Sequence, residues 1–208
     1  MHKKKFFFIV FEGIEGTGKS YQIKKLSNNL KKLGFNLQTT REPGGSKTAE
    51  KIRNLIFSKY ANNFDKITDY YLMNAARNEH VKKTLLVAKK ENKIVISDRF
   101  TDSTYAYQVK GNKIDKRVNS INQQYILKDF KPNLTIVLKA NFNTIIARIK
   151  KRKNNNKFDK LKKNFYKRVQ NGYLELAKKK KNYIIFDSSK NTPELEKKIF
   201  SVVLNHIK

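Results

Sequence analysis

The sequence predicts an α/β protein with a parallel sheet flanked by helices on both faces. Two observations carry the prediction. Short apolar runs alternate with longer stretches of helical periodicity, the order that builds strand–helix–strand units. The first apolar run, "FFFIVF", also opens directly into "GIEGTGKS" (Gly13–Ser20), after which a helical pattern begins. That octet has the form G-x-x-x-x-G-K-[ST], in which glycines let successive backbone N–H groups curl around phosphate oxygens. A strand before the loop and a helix after it are the context such a loop requires.

Taken in order, the first strand is expected over Phe6–Phe11. In the helix behind the loop, Ile23, Leu26, Leu30 and Leu33 recur at helical spacing, and Gly34 stands where a helix stops. Further strands are expected over Leu37–Thr40, Lys93–Ser97, Leu134–Leu138 and Tyr183–Phe186, with Pro132 just before the fourth. The last helix opens on "TPELE": Thr192 as N-cap, Pro193 at the first helical position, acids in the first turn. Its Leu195, Ile199, Val202 and Val203 face the core. Between two helical patterns lies "KNNNK", a polar low-complexity stretch that predicts a mobile loop. There is no internal repeat and no Pro/Gly/Ser linker, so one domain is expected over 1–208.

Composition bounds the function classes. The chain has 208 residues and no cysteine, which removes disulfide frameworks and thiolate metal sites. No apolar stretch approaches the roughly 20 residues that span a bilayer. "MHKKKFFFIVF" has basic residues before an apolar run, as a secretion signal does, but it leads into the phosphate loop and reads as the first strand of a cytoplasmic protein. The net charge of +30 would suit a nucleic-acid partner. Yet lysine is spread everywhere and accompanied by Asn, Ile and Phe, residues with A/T-rich codons. The charge is therefore read as compositional, with nucleic acid not expected as a partner. A nucleic-acid-stimulated P-loop ATPase is the alternative class.

Within the loop, Gly13, Ile14, Glu15, Gly16, Thr17 and Gly18 form the cradle, Lys19 reaches the terminal phosphates and Ser20 takes a place on Mg²⁺. Arginines and acids recur where strands should end, which in an open α/β sheet is where ligands bind. Arg41 and Glu42 follow the second strand in "TREPGG", Arg53 lies just beyond in "AEKIRNLIF", and Arg77 falls inside a helix in "AARNEH". Asp98 and Arg99 end the third strand. Asp98 is a candidate second Mg²⁺-linked group, and Arg99 a bidentate phosphate clamp. Together these residues predict a second phosphate site facing the first.

Segments spread over the whole chain resemble the thymidylate kinase family: "FEGIEGTGKS", "TREPGG" with "AEKIR", "YLMNAARNEH", "DRFTDSTYAYQ", "KPNLTIVL" and "YKRVQNGYLELA". The resemblance implies a five-stranded P-loop fold with a mobile lid, a homodimer, and transfer of the γ-phosphoryl group of ATP to dTMP with Mg²⁺. It also implies residue roles. Glu15 lies near the deoxyribose 3′-OH, Arg53 and Arg99 hold the acceptor phosphate, and Arg77 contacts the thymine carbonyl. Ser103, Tyr107 and Gln108 border base and sugar. With no Lys or Arg between Gly13 and Gly18, the chain fits the bacterial type, whose basic side chains sit in a lid, here about 148–163 with Arg148, Arg152 and Lys157. Lys19, Arg99 and Arg152 are then the catalytic cations. Three positions depart from the family pattern: Met73 where relatives stack an aromatic ring on thymine, Lys157 in place of a lid arginine, and "PNLT" followed by Lys139. The histidines are assigned no special role.

Overall fold

The fold starts from a strand that is apolar on both sides. In β1 (Phe7–Glu12), Ile9 and Phe11 point to one face and Phe8 and Val10 to the other, and all four are buried. A strand of that kind has to lie in the middle of a sheet covered on both faces. The computed structural model, which describes residues 5–59, 64–151, 163–190 and 192–207, places it there. Five parallel strands run in the order β2 (Leu37–Arg41), β3 (Ile94–Asp98), β1, β4 (Leu134–Lys139) and β5 (Tyr183–Asp187). Each expected strand is present, shifted by no more than a residue or two. The register puts Asp98 beside both Phe11 and Arg41, so the ends of β1, β2 and β3 meet at one edge.

One face is covered by α1 (Lys19–Lys32) and the C-terminal α9 (Pro193–Ile207), which bury Ile23, Leu26, Leu30, Leu195, Ile199 and Val203 against the sheet. Val202 packs at the edge of that cluster. Leu33, expected on the same stripe, is instead half exposed at 49 %. The helix ends beneath it: Gly34 turns left-handed at φ 79°, its N–H donates to Lys31, and Phe35 N–H donates back to Leu30. In this closing turn the apolar contact falls to Phe35, the residue after the glycine.

The other face carries the remaining helices. α2 (Lys47–Ile56) packs on α3 (Lys66–His80), which passes through a wide π turn (Val81–Leu85) into α4 (Leu86–Lys90). After β3, the short α5 (Thr101–Thr104) widens into a second π segment, Tyr105–Gly111, followed by α6 (Lys116–Leu127). α7 (Phe142–Lys150) and α8 (Lys163–Lys178) bury Ile145, Ile149, Tyr166, Val169 and Tyr173 with Tyr107 of the second π segment. The region expected to form a lid is described only at its ends. Arg152 and Lys157 lie outside the described residues. Among the described residues, no helix is long and apolar enough to cross a membrane.

Candidate active site

The loop after β1 is shaped by close approach. Gly13 has φ 139°, and a Cβ there would stand 2.3 Å from the Leu138 carbonyl oxygen of β4, so no side chain fits. Thr17 donates its hydroxyl to the Ile14 carbonyl, Ser188 donates to the Thr17 carbonyl, and Arg148 donates to the Gly16 carbonyl. α1 therefore starts rigidly. Its first turn holds no acid and its N-cap, Gly18, makes no side-chain bond, which leaves the first N–H groups free for an anion. Lys19 curls back over the loop and donates to the carbonyls of Gly13 at 2.9 Å and Ile14 at 3.2 Å. Burial, together with the charge of Arg99, pushes the Lys19 ammonium down to about 8, although Asp98 and Glu15 pull the other way.

A cavity of about 780 Å³ opens at the strand ends and is lined by Lys19, Ser20, Arg53, Met73, Arg77, Asp98, Arg99, Ser103, Tyr107, Gln108 and Glu15. Every acceptor-side residue expected from the sequence thus converges on one space with the loop lysine. Arg99 is its hub. At φ 76° it turns sharply out of β3 and donates to the Gly13 carbonyl, Ser103, Tyr173 and, at 2.7 Å, the Glu15 carboxylate. Glu15 also accepts from the Tyr107 hydroxyl. Burial opposes the charge on Arg99, but Tyr107, Tyr173 and the carboxylates of Glu15 and Asp98 outweigh it and hold its pKa well above the ordinary value.

Arg77, 3 % exposed, is fixed on three sides. Its Nε donates to Glu42 at 2.7 Å, Nη1 to Thr104 at 2.7 Å, and Nη2 to the Phe100 carbonyl at 3.0 Å. Arg53 donates to the carbonyl of Pro43, which follows a cis peptide bond. Burial lowers the Arg53 pKa, and the like charges of Arg41 and Arg99 lower it further against Glu50 and Asp98. Two cations of one cavity, Lys19 and Arg53, are thus held below their ordinary values. The cavity is lined by more basic side chains (Lys19, Lys24, Lys31, Arg41, Arg53, Arg77, Arg99) than carboxylates (Glu15, Glu42, Glu50, Asp98), and it suits anions.

Two oxygen groups on the cavity wall suit Mg²⁺. Ser20 donates to Asp98 Oδ2 at 3.0 Å, and Asp98 Oδ1 is buried with no hydrogen-bond partner. A hydroxyl and an unpaired carboxylate oxygen side by side fit a hard cation held by one or two protein groups plus phosphates. No cluster of three or more His, Cys, Asp or Glu that could hold a metal occurs among the described residues.

Sequence reasoning missed Glu12, His80, Thr104 and Tyr173 as parts of the site, and gave Glu42 a place at a strand end but no partner. Glu12 ends the central strand fully buried and accepts from the Phe100 and Ser103 N–H groups and the Ser103 hydroxyl. Burial and the nearby Asp102 push its carboxyl up to about 8, against Arg99 and these donors. The one signal for it was an acid closing a run of buried apolar residues. Such a group is expensive without donors.

A phosphate cradle facing a cationic cavity at the carboxyl ends of a parallel sheet defines a P-loop kinase of small phosphorylated acceptors. A family model for thymidylate kinase matches residues 11–199. The chain is 37 % identical over 204 residues to the thymidylate kinase of Mycoplasma capricolum subsp. capricolum, covering 97 % of this chain and 96 % of that one. It is 41 % identical over 173 residues to that of Wolbachia pipientis wMel, covering 82 % and 84 %. The crystal structure of thymidylate kinase from Ehrlichia chaffeensis superimposes with a TM-score of 0.78 at 29 % identity, over 96 % of this chain and 99 % of that one. The chain belongs to the thymidylate kinase family.

Proposed function

We propose that this chain transfers the γ-phosphoryl group of ATP to dTMP, giving dTDP, with the loop as donor site and the cavity beyond it as acceptor site. The observation that carries the residue roles is the excess of basic over acidic side chains lining the cavity around Lys19, Arg53 and Arg99. Phosphoryl transfer asks mainly for alignment and for cations around the migrating group. Lys19 and the first N–H groups of α1 bind the donor phosphates; Arg53 and Arg99 hold the acceptor phosphate across from them. The dTMP phosphate is already an anionic nucleophile, so no general base is assigned. Arg77 donates to the base carbonyl, Met73 packs on the ring, and Glu15, Ser103, Tyr107 and Gln108 border the sugar and base. Mg²⁺ would be held by Ser20 and Asp98 with the phosphates, and would supply charge neutralisation there. Arg148, Arg152 and Lys157 are assigned to the donor side by family resemblance.

The test is ADP formation from ATP with dTMP, dUMP, dAMP, thymidine and DNA each offered separately. Turnover that needs a thymine monophosphate is expected. ADP release stimulated by DNA without any mononucleotide would favour the ATPase reading of the net charge.

A homodimer is part of the same proposal. α3 and α6 pack together and expose Ile67, Tyr71, Val118, Ile121 and Tyr125, the last 87 % exposed, which gives a second copy an apolar face to cover. Sedimentation velocity on the protein and on Tyr125→Asp tests it: a dimer that the substitution weakens is expected, and a native monomer contradicts it. A single domain and a cytoplasmic location complete the proposal, supported by the continuous match and by the absence of cysteine.

A further inference from the structure

Glu42 on the cavity wall and His80 behind it belong to none of the roles above. His80 is fully buried near the C-terminal end of α3, three residues after Arg77. Its Nδ1 lies 2.9 Å from Glu42 Oε1, and its Nε2 lies 2.7 Å from the Thr40 hydroxyl. The second Glu42 oxygen accepts from Arg77 Nε at 2.7 Å. Burial alone would raise the Glu42 pKa, but the Arg77 guanidinium and the His80 N–H outweigh it and hold the carboxyl below its ordinary value. An ionised carboxylate is acceptor-only, so Nδ1 of His80 must carry the proton.

The result is a one-way chain from β2 to the base-facing guanidinium. Thr40 braces His80, His80 aims Glu42, and Glu42 sets the plane of Arg77. The turn that follows β2 closes on this chain. A Cβ on Gly45 would stand 2.4 Å from the Thr40 hydroxyl and 2.5 Å from the His80 ring, so the glycine is what lets the loop press the imidazole into place. Thr84 ties the same turn down by donating to the Gly45 carbonyl. The other Arg77 bonds go to neutral oxygens: Thr104, the Phe100 carbonyl and, at 3.5 Å, Asn74 Oδ1. Glu42 alone supplies a charged, directional bond.

We propose that His80 and Glu42 are positioning residues that fix the plane of Arg77, and that acceptor-base selectivity is what the pair controls. This rests on the assignment of Arg77 to the base. Guanidinium has donors only. Held in one plane, it accepts a base that presents a carbonyl and rejects one that presents an amino group at that edge. A guanidinium free to tilt discriminates less.

Two substitutions separate positioning from mere packing. His80→Asn keeps an amide N–H where Nδ1–H stood and so keeps the bond to Glu42. His80→Gln reaches the Nε2 position, toward Thr40, and loses the bond to Glu42. Each removes the imidazole from the same buried place, so a purely structural role would affect both alike. We expect His80→Gln to raise KM for dTMP and to reduce the dTMP-over-dCMP ratio of kcat/KM, each by about tenfold, the worth of one charged hydrogen bond. His80→Asn should stay within about threefold of the native ratio, with KM for ATP unchanged in both. Equal loss in the two variants, or a loss confined to Tm, overturns the proposal. If neither variant folds, Glu42→Gln carries the test: reduced selectivity supports the proposal and native selectivity overturns it. Arg77→Lys is measured alongside. Lost selectivity in Arg77→Lys with none lost in His80→Gln refutes the positioning role alone, whereas native selectivity in Arg77→Lys refutes the base assignment together with it.

Discussion

The proposed donor and acceptor halves of the site are built by different means. The donor half is built around a local element: Gly13–Ser20 is continuous in sequence and offers backbone N–H groups and Lys19, and only the basic residues assigned from 148–157 come from elsewhere in the chain. The acceptor half is assembled from β1, β2, α2, α3, β3, α5, the second π segment and α8, and its side chains hold one another: Arg99 with Glu15 and Tyr173, Arg77 with Glu42, Glu12 with Ser103. A backbone cradle binds any nucleoside triphosphate. A braced set of arginines can distinguish one monophosphate from another. The same difference makes the halves respond differently to damage, because a group held by many partners is part of the fold and a group waiting for phosphate is not.

The largest effect should separate Arg99 from Lys19. Both Arg99→Met and Lys19→Met should cost turnover on the order of 10²–10³, since each removes a preorganised cation at the transferring group. Only Arg99→Met should also unfold easily. It leaves Glu15 buried beside a vanished partner, a loss of about 3–5 kcal/mol and a fall in Tm of roughly 10 °C. Lys19→Met should not lower Tm at pH 7. The Lys19 pKa, down at about 8 in the fold, lies below its unfolded value, so its buried charge weakens the fold at neutral pH. Between that value and the unfolded one the unfolded chain binds more protons, and the contribution of this group to stability rises with pH. Thermal scans of both variants at pH 7 check the pair; equal Tm losses would erase the distinction between the halves.

Met73→Phe probes the acceptor wall. A thioether on a ring gains ~0.3–1.5 kcal/mol and an aromatic pair about 0.5–1.5 kcal/mol beyond its burial, while methionine loses more rotamer freedom. KM for dTMP should fall roughly two- to tenfold with KM for ATP unchanged. A change in ATP alone would take Met73 off the acceptor side. The smallest signal is a proton. Lys19 is held below its ordinary pKa, and triphosphate beside it favours its charge, so ATP binding near pH 8 should be accompanied by net proton uptake. Calorimetry in two buffers of different ionisation enthalpy reads it, and Lys19→Met should abolish it.

This contrast also explains what could be read in the sequence. The sheet and the loop were legible because their signals are short-range: an apolar run, a glycine spacing, an N-cap before Pro193. Arg53, Arg77 and Arg99 could be placed at strand ends and given roles by family resemblance. Their braces could not. Glu42 and His80 are 38 residues apart, and Glu12 and Ser103 are 91 apart, so nothing local marks either pair. Leu33 failed for the opposite reason, since helical spacing continued one residue past the point where Gly34 turned the chain. Tyr173 packs in the core with Val169; its hydroxyl, reaching Arg99, is what periodicity does not report.

The most direct test of the two-half account is a crystal structure with dTMP and a non-hydrolysable ATP analogue bound together. The account predicts the analogue's phosphates against Lys19 and the first N–H groups of α1, the dTMP phosphate between Arg53 and Arg99, and the thymine carbonyl on Arg77. A dTMP phosphate bound away from both arginines, or a base turned from Arg77, would contradict it.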